Sequence, residues 1–240
     1  MRFVLRMFCA LIIAAEAGAQ TLSLPHIDAV NAFYRAGKIS GLHAEPTSPC
    51  SHGWSANPAC GWGFETVYEM IDTKPGDSPP VVQPELAVGY DFLNVQGKLA
   101  NKFDVIGSIQ TLPSITFYLN FNELSFRHRA GAYVGLGTGF ATLKNFKAYL
   151  NDKPISVSGD TWALTPSVGG SWTFTEADLK KPGFYVFGEV SYELRKFAGI
   201  DYKLPADIKD FPTDLPRSIS AGGRVINLGF GFTFHKEPKK

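Results

Sequence analysis

The chain has 240 residues and a formal net charge of +1, and 45% of its residues are apolar and 13% aromatic. A charge this balanced, without a run of basic residues, argues against a nucleic-acid-binding protein. The length suits one large β domain, and 24 glycines and 16 prolines are typical of a chain with many strands and turns.

Residues 1–19 have the pattern of a secretory signal peptide. Two arginines precede a short apolar run at residues 7–15, and an Ala-Gly-Ala cleavage site follows. The run is too short for a membrane-spanning helix, which needs about 20 apolar residues. We therefore expect export and loss of this segment, together with Cys9.

Residues 20–61 are predicted to form an N-terminal extension outside the main domain. Between residues 23 and 37, Ile27, Val30, Phe33 and Tyr34 recur at helical spacing, which predicts a short amphipathic helix. We expect it to pack at the membrane boundary or on the rim of the main domain. Entry into the interior and binding of a partner are the alternatives.

Cys50 and Cys60 remain after cleavage, and an even pair in an exported protein predicts one disulfide. The alternative is a metal site with His43 and His52, although the spacing matches no recognised zinc pattern. We expect the disulfide to pin an irregular segment, and we predict neither a metal site nor a cofactor.

From residue 62 to residue 234, large apolar residues alternate with small or polar ones. This period of two is typical of strands that have one apolar face and one small or polar face. Eight candidate strands are expected, near 62–71, 84–95, 101–111, 114–124, 131–145, 161–175, 183–197 and 222–234.

The strand at 161–175 gives the clearest measure of scale. Trp162 and Trp172 lie ten residues apart on one face. At about 3.3 Å per residue and a tilt near 45°, they are separated by roughly 23 Å along a membrane normal, close to the height of the apolar band of a transmembrane barrel. Pro166 cannot donate to a ladder, so a bulge is expected there.

Alternation alone admits two architectures, because an apolar face can point into a soluble lipocalin-like barrel or out into lipid. The polar faces are rich in glycine and hydroxyl residues, and aromatic residues crowd the ends of the apolar faces, which favours the membrane barrel. The aromatic residues expected to face lipid are Phe117, Phe121, Trp162, Trp172, Phe174, Phe184, Phe230, Phe232 and Phe234.

The last strand carries a more specific pattern. Asn227, Gly229, Phe232 and Phe234 resemble the terminal targeting signal of bacterial outer-membrane barrels, in which a polar residue, a glycine and two aromatics recur in this order. In that group the last aromatic usually ends the chain, whereas residues 235–240 follow here.

The succession of strands is similar to that of small OmpA-like outer-membrane barrels. The resemblance implies an all-β, eight-stranded antiparallel transmembrane up-and-down barrel at 62–234, in a bacterial outer membrane, with a periplasmic tail at 235–240. It also implies contact with membrane lipid and lipopolysaccharide, insertion by the barrel-insertion machinery, and a structural, adhesive or surface-interaction role.

The polar faces of the strands also contain charged residues, which would then lie in the lumen. An eight-stranded barrel is just wide enough inside for side chains, and buried charges must pair, so a salt-bridge network is expected. Acids outnumber bases in this set, and we expect Arg35 or Lys38 of the N-terminal segment to balance them. The predicted members are Glu65, Glu69, Asp91, Lys102, Asp104, Glu189, Glu193 and Arg195.

The connections between the predicted strands fall at alternate ends of the barrel. If the first strand rises, the outward loops lie near 72–83, 112–113, 146–160 and 198–221, and the periplasmic turns near 96–100, 125–130 and 176–182. The last outward loop is rich in charges and is the expected place of contact with an extracellular partner.

No residues predict a catalytic site. None of the five histidines lies in a predicted strand or beside a recognisable nucleophile. An enzyme is therefore the less favoured reading. Two alternatives remain, which are a lipid-modifying outer-membrane enzyme and a soluble exported barrel that binds an apolar ligand.

Overall fold

The computed structural model describes residues 26–43, 59–70, 82–100, 102–121, 129–150, 152–177, 181–205 and 215–234. Within these ranges the chain is entirely β and irregular structure, with no helix. The strands are β1 (His26–Gly37), β2 (Leu42–His43), β3 (Ala59–Glu69), β4 (Val82–Leu99), β5 (Phe103–Phe121), β6 (Ala130–Leu150), β7 (Lys153–Ser158), β8 (Asp160–Thr175), β9 (Gly183–Glu193), β10 (Lys196–Ala198), β11 (Asp201–Lys203), β12 (Ser218–Ser220) and β13 (Gly223–Thr233).

Eight of these strands close into an antiparallel barrel in the order β1, β3, β4, β5, β6, β8, β9, β13. The last strand pairs with the first, from Ala29 opposite Thr233 to Gly37 opposite Val225. Closure leaves no barrel strand with an unpaired edge. The predicted eight-stranded antiparallel barrel is confirmed.

The predicted helix between residues 23 and 37 is wrong, because this stretch is the barrel strand β1. It pairs with β3 on one side and with β13 on the other. Its inward residues Asn31 and Arg35 and its outward Val30 alternate with period two, so the helical recurrence was coincidental. The barrel therefore begins at residue 26 and not at 62.

The predicted number of eight strands is still correct, because one barrel strand was missed and another was predicted as two. The predicted strands 101–111 and 114–124 are one strand, β5, whose pairing with β6 shifts between Thr111 and Ser114. Leu112 and Pro113 form this bulge and not a turn, since a bulge tolerates a residue that cannot donate to the ladder.

The barrel has two unlike ends. β1 begins and β13 ends at the terminal end, where the connections are 70–81, 122–129 and 176–182. The loop end carries the other connections, at 38–58, 100–102, 151–159 and 194–222, and the short strands β2, β7, β10, β11 and β12. The prediction grouped 72–83 with 146–160 and 198–221, and 96–100 with 125–130 and 176–182. The structure reverses both assignments, because β1 adds one strand before them.

The outer face of the barrel is a belt of large apolar side chains. Trp162 is 64% exposed, Leu228 60% and Val168 57%, and Phe64 and Phe230 also point outward. A soluble barrel would have turned these residues into its core, so the soluble alternative is excluded and the barrel is of the transmembrane type.

Pro166 is accommodated without the predicted bulge. The ladder between β8 and β9 runs from Ser167 opposite Ser191 towards the terminal end, and the bridge between Leu164 and Leu194 keeps the same register. The ladder is simply interrupted between them, while Pro166 stays paired with β6 opposite Leu136.

Candidate functional site

The barrel interior has three layers along its axis. A cavity opens at the terminal end, a layer of buried charges crosses the middle, and an apolar cluster fills the loop end. We call these the terminal cavity, the ionic layer and the apolar plug.

The ionic layer centres on Arg35, which is only 4% exposed. Its guanidinium forms ion pairs with Asp91 of β4 and Glu193 of β9, the latter at 2.6 Å between Nη2 and Oε1. Glu193 also pairs with Arg195, whose Nε donates to the carbonyl of Ala221 at 3.2 Å. Two arginines and two carboxylates therefore neutralise one another across the lumen, as buried charges require.

A second set of contacts continues from Arg35 towards the terminal end. Its Nε donates to Asn227 Oδ1 at 3.1 Å, and Asn227 Nδ2 donates to Glu189 Oε1 at 2.6 Å. Asn31 Nδ2 donates to Glu65 Oε1 at 2.8 Å, and the hydroxyl of Tyr185 donates to Asn31. The neutral amides of Asn227 and Asn31 thus donate one hydrogen bond each to the carboxylates of Glu189 and Glu65.

The terminal cavity has a volume of about 650 Å³. Tyrosines and carboxylates dominate its inner part, where Tyr118 and Tyr133 meet edge to face at 5.3 Å between ring centroids. Beyond them lies a smaller cavity of about 40 Å³ with mainly polar lining, which shares Glu65 and Tyr118 with the terminal cavity. Inward glycines of β6, such as Gly137, leave the space for both.

The apolar plug closes the barrel at the loop end. Side chains of the barrel strands and of the loop 194–222 meet there, and none of its core members is more than 9% exposed. Its largest fully buried side chains are Leu93, Phe103, Ile109, Phe146, Ile155, Phe197 and Ile219.

The plug explains why two predicted lumen residues lie elsewhere. Lys102 and Asp104 are on the outer face, where Asp104 pairs with Lys98 at 3.6 Å, and Phe103 and Val105 point inward. This part of β5 extends beyond the apolar belt. Water surrounds the barrel there and a packed apolar core fills it, so apolar side chains point inward and charged side chains point outward.

The other predicted lumen charges are inside the barrel, and Arg35 joins them. Glu65, Asp91, Glu189, Glu193 and Arg195 line its middle. Glu69 lies at the terminal end and accepts a hydrogen bond from Gln83 at 2.8 Å, whereas Lys38 is exposed. The interior positions of Asn31 and Asn227 were not predicted, because the residue pattern of β1 is not clearly that of a strand and Asn227 also fits the targeting pattern.

The predicted lipid-facing aromatic residues are on the outer wall. Trp162 lies near the loop end, and the others cluster towards the terminal end, where Phe184 lies 5.8 Å from Phe174 and 5.6 Å from Phe232 between ring centroids. Phe117 lies opposite outward Leu136, and Phe121 is at the rim, bordering the terminal cavity.

Several predictions fall outside the described residues. The signal peptide, Cys50, His52 and the tail 235–240 are among them, so the disulfide and the signal stay predictions. Cys60 lies in β3 opposite Ala36 and Asn94, and so in the barrel and not in an irregular segment.

No known protein family and no curated protein matches the chain. Solved structures do match. The outer membrane protein OprG from Pseudomonas aeruginosa has a TM-score of 0.50 at 15% identity, over 88% of this chain and 98% of OprG. Neisserial surface protein A has a TM-score of 0.45 at 12% identity over 88% and 100%, and the outer membrane protein AlkL 0.43 at 15% over 92% and 97%.

The likeness to OprG confirms the fold class, a small outer-membrane barrel. The finer OmpA-like assignment stays a prediction. Bacterial single-chain outer-membrane barrels have an even number of antiparallel strands, an outward apolar band and aromatic girdles. This chain has all three features, and it is a protein of the bacterial outer membrane.

Proposed function

We propose that the chain is a non-enzymatic, closed outer-membrane barrel that acts at the cell surface through its loop end, in a structural, adhesive or surface-interaction role. The observation that carries the proposal is the filling of the interior. The ionic layer and the apolar plug lie in series between the terminal cavity and the loop end. Eight strands leave room for side chains and little else, so a permanent water-filled pore is not expected.

The loop end is built as a firm surface. The loop 194–222 sends Phe197, Leu215 and Ile219 into the plug, and β11 adds to the sheet by pairing with β7, as Asp201 lies opposite Ser158. Recognition loops are commonly held on such rigid scaffolds.

The orientation follows from the connections. In outer-membrane barrels the longer loops are extracellular and the turns at the other end are periplasmic. The loop end carries the longest connection, 194–222, so we place it outside and the terminal end in the periplasm.

Two measurements test the proposal. Purified protein in a planar lipid bilayer is expected to give no stepwise conductance, and a stable open channel would contradict the closed barrel. In intact cells, the variant Asp201→Cys should react with a membrane-impermeant maleimide, whereas Thr175→Cys at the terminal end should react only after permeabilisation. The reverse pattern of labelling would contradict the orientation.

A further inference from the structure

We propose that the outer wall of the barrel just beyond the apolar belt binds the phosphate groups of lipopolysaccharide, through a basic ring formed by Lys38, Lys144, Lys147, Lys196 and Arg224. The inference deepens the proposed function and rests on it, because it requires the loop end to face outward. It assigns a defined set of residues and one ligand chemistry, a phosphorylated lipid headgroup.

Three lysines lie just beyond the aromatic border of the apolar belt. An aromatic girdle borders the loop end of the belt, and it includes Tyr34 next to Trp62, Phe140 next to Trp162, and Tyr192. Lys38, Lys144 and Lys196 each follow one of these aromatic residues by four positions and so lie on the same, outward face of the chain.

Four residues at about 3.3 Å, tilted near 45°, rise roughly 9 Å along the membrane normal. Aromatic girdles mark the boundary of the hydrocarbon region. The three ammonium groups, on long flexible side chains, therefore reach the layer of lipid headgroups. Lys144 of β6, Lys196 of β10 and Lys38, which directly follows β1, thus lie at a similar height on the outer wall.

Four of the five cations form two pairs on opposite sides of the barrel. The backbone N–H of Lys38 donates to the carbonyl of Arg224 at 3.0 Å, so these two residues lie side by side on the wall. On the opposite side of the barrel, Lys144 and Lys147 lie three positions apart on β6, and a register shift against β5 between Ser108 and Ile106 leaves both lysines exposed. Paired cations suit phosphate, whose oxygens accept several charge-assisted hydrogen bonds at once.

The net charge of the described surface differs between the two ends. At the terminal end, two exposed basic residues, Arg129 and Lys181, accompany the exposed acid Glu176. At the loop end, exposed basic residues exceed exposed acids by nine to four. The basic residues are Lys38, Lys102, Lys144, Lys147, Lys153, Lys196, Lys203, Arg217 and Arg224, and the acids are Asp104, Asp152, Asp160 and Asp201. Juxtamembrane basic clusters attract anionic lipid, so the excess favours a phosphate-rich leaflet on this side alone.

The test compares two triple variants of the full-length folded protein in detergent. The wall variant combines Lys38→Gln, Lys144→Gln and Lys196→Gln. The matched control combines Lys153→Gln, Lys203→Gln and Arg217→Gln, which remove the same charge from the loop end away from the girdle. Each protein is titrated with lipid A, with chemically dephosphorylated lipid A and with inorganic phosphate, and the unfolding temperature reports binding.

We expect lipid A to raise the unfolding temperature of the wild-type protein and of the control, and the wall variant to bind it about tenfold or more weakly. Dephosphorylated lipid A should change the unfolding temperature little. Inorganic phosphate, at a phosphate concentration equal to that of the lipid A titration, should also change it little. Equal binding by all three proteins, equal weakening of wall variant and control, or an equal response to inorganic phosphate would overturn the inference. The maleimide labelling described above tests orientation independently, so outward labelling without a lipid A response would refute the basic ring alone.

Discussion

Arg35 in β1 and Glu193 in β9 form a buried ion pair at 2.6 Å although 158 positions separate them in the chain. The same guanidinium pairs with Asp91 in β4. β1 is not adjacent to β9 or to β4 in the barrel, since β13 and β3 lie between them. One side chain therefore ties three strands together across the lumen.

Replacement of Arg35 by alanine should be strongly destabilising. It would leave Asp91 and Glu193 buried without this partner, and removal of one member of a buried pair costs about 3–5 kcal/mol. Urea unfolding in detergent, followed by tryptophan fluorescence, measures the loss. Arg224→Ala is the matched control, because this arginine is exposed on the neighbouring strand β13, and its cost should stay within about 0.5 kcal/mol. Equal costs would refute the bracing role of Arg35.

Gly169 is an inward position where a single methyl group should matter. A Cβ at this residue would overlap the ring of Tyr133, which faces it from β6. Gly169→Ala should lower the free energy of unfolding by about 1–3 kcal/mol through overpacking. At the outward glycine Gly188, a Cβ would meet Leu228 at an ordinary 3.5 Å, so Gly188→Ala should be much milder. The prediction fails if the two variants unfold at the same urea concentration.

The apolar plug should hold the loop 194–222 in place. Phe197 is fully buried in it, and a Phe→Ala change at such a site costs about 3–5 kcal/mol. Phe197→Ala should expose the loop to protease in the folded protein, while Phe174→Ala, on the lipid-facing wall, should leave the digestion pattern unchanged. A loop that resists protease in both variants would show that the plug does not anchor it.

The loop end also predicts a dependence on high pH. The hydroxyl of Tyr202 donates to the carbonyl of Pro216 at 2.6 Å, and burial raises the pKa of Tyr202 from 10.0 to about 12. A raised pKa means that the folded state favours the neutral phenol. The contact should therefore be complete below pH 10 and be lost as the pH rises through the folded pKa.

The ultraviolet absorbance of tyrosinate measures this titration. The difference between wild-type protein and Tyr202→Phe should show one tyrosine that ionises near pH 12. Protease sensitivity of the loop 194–222 should rise over the same pH range in the wild-type protein alone. Ionisation of Tyr202 at its ordinary pKa would contradict the burial of its hydroxyl.

The sequence predicts the outer wall better than the interior, for a physical reason. Lipid imposes an unbroken apolar face on strands such as β8 and β13, so period-two alternation is strong there. β1 has only a weak form of it, because the outward Ala32 and Ala36 are small and the inward Phe33 is large. Its identity as a strand is fixed by pairing with β3 and β13, which residue pattern alone does not show.

The charges of the interior were found only in part for a related reason. Alternation places Glu65, Asp91 and Glu189 on inward faces, and the structure shows them there. At Lys102 and Asp104 the same alternation holds, but beyond the membrane the outside of the barrel is water and the inside is the apolar plug. The charged residues therefore point outward there. Sequence gives no direct sign of where a strand leaves the bilayer.

The central claim is that large apolar side chains face lipid while polar groups and the plug fill the barrel. Two single-tryptophan variants test it most directly, one with tryptophan at Val168 on the outer wall and one with tryptophan at Tyr133 inside. In vesicles with brominated acyl chains, tryptophan at position 168 should be strongly quenched, and tryptophan at position 133 should be nearly unaffected. Quenching at position 133 but not at position 168 would contradict the account.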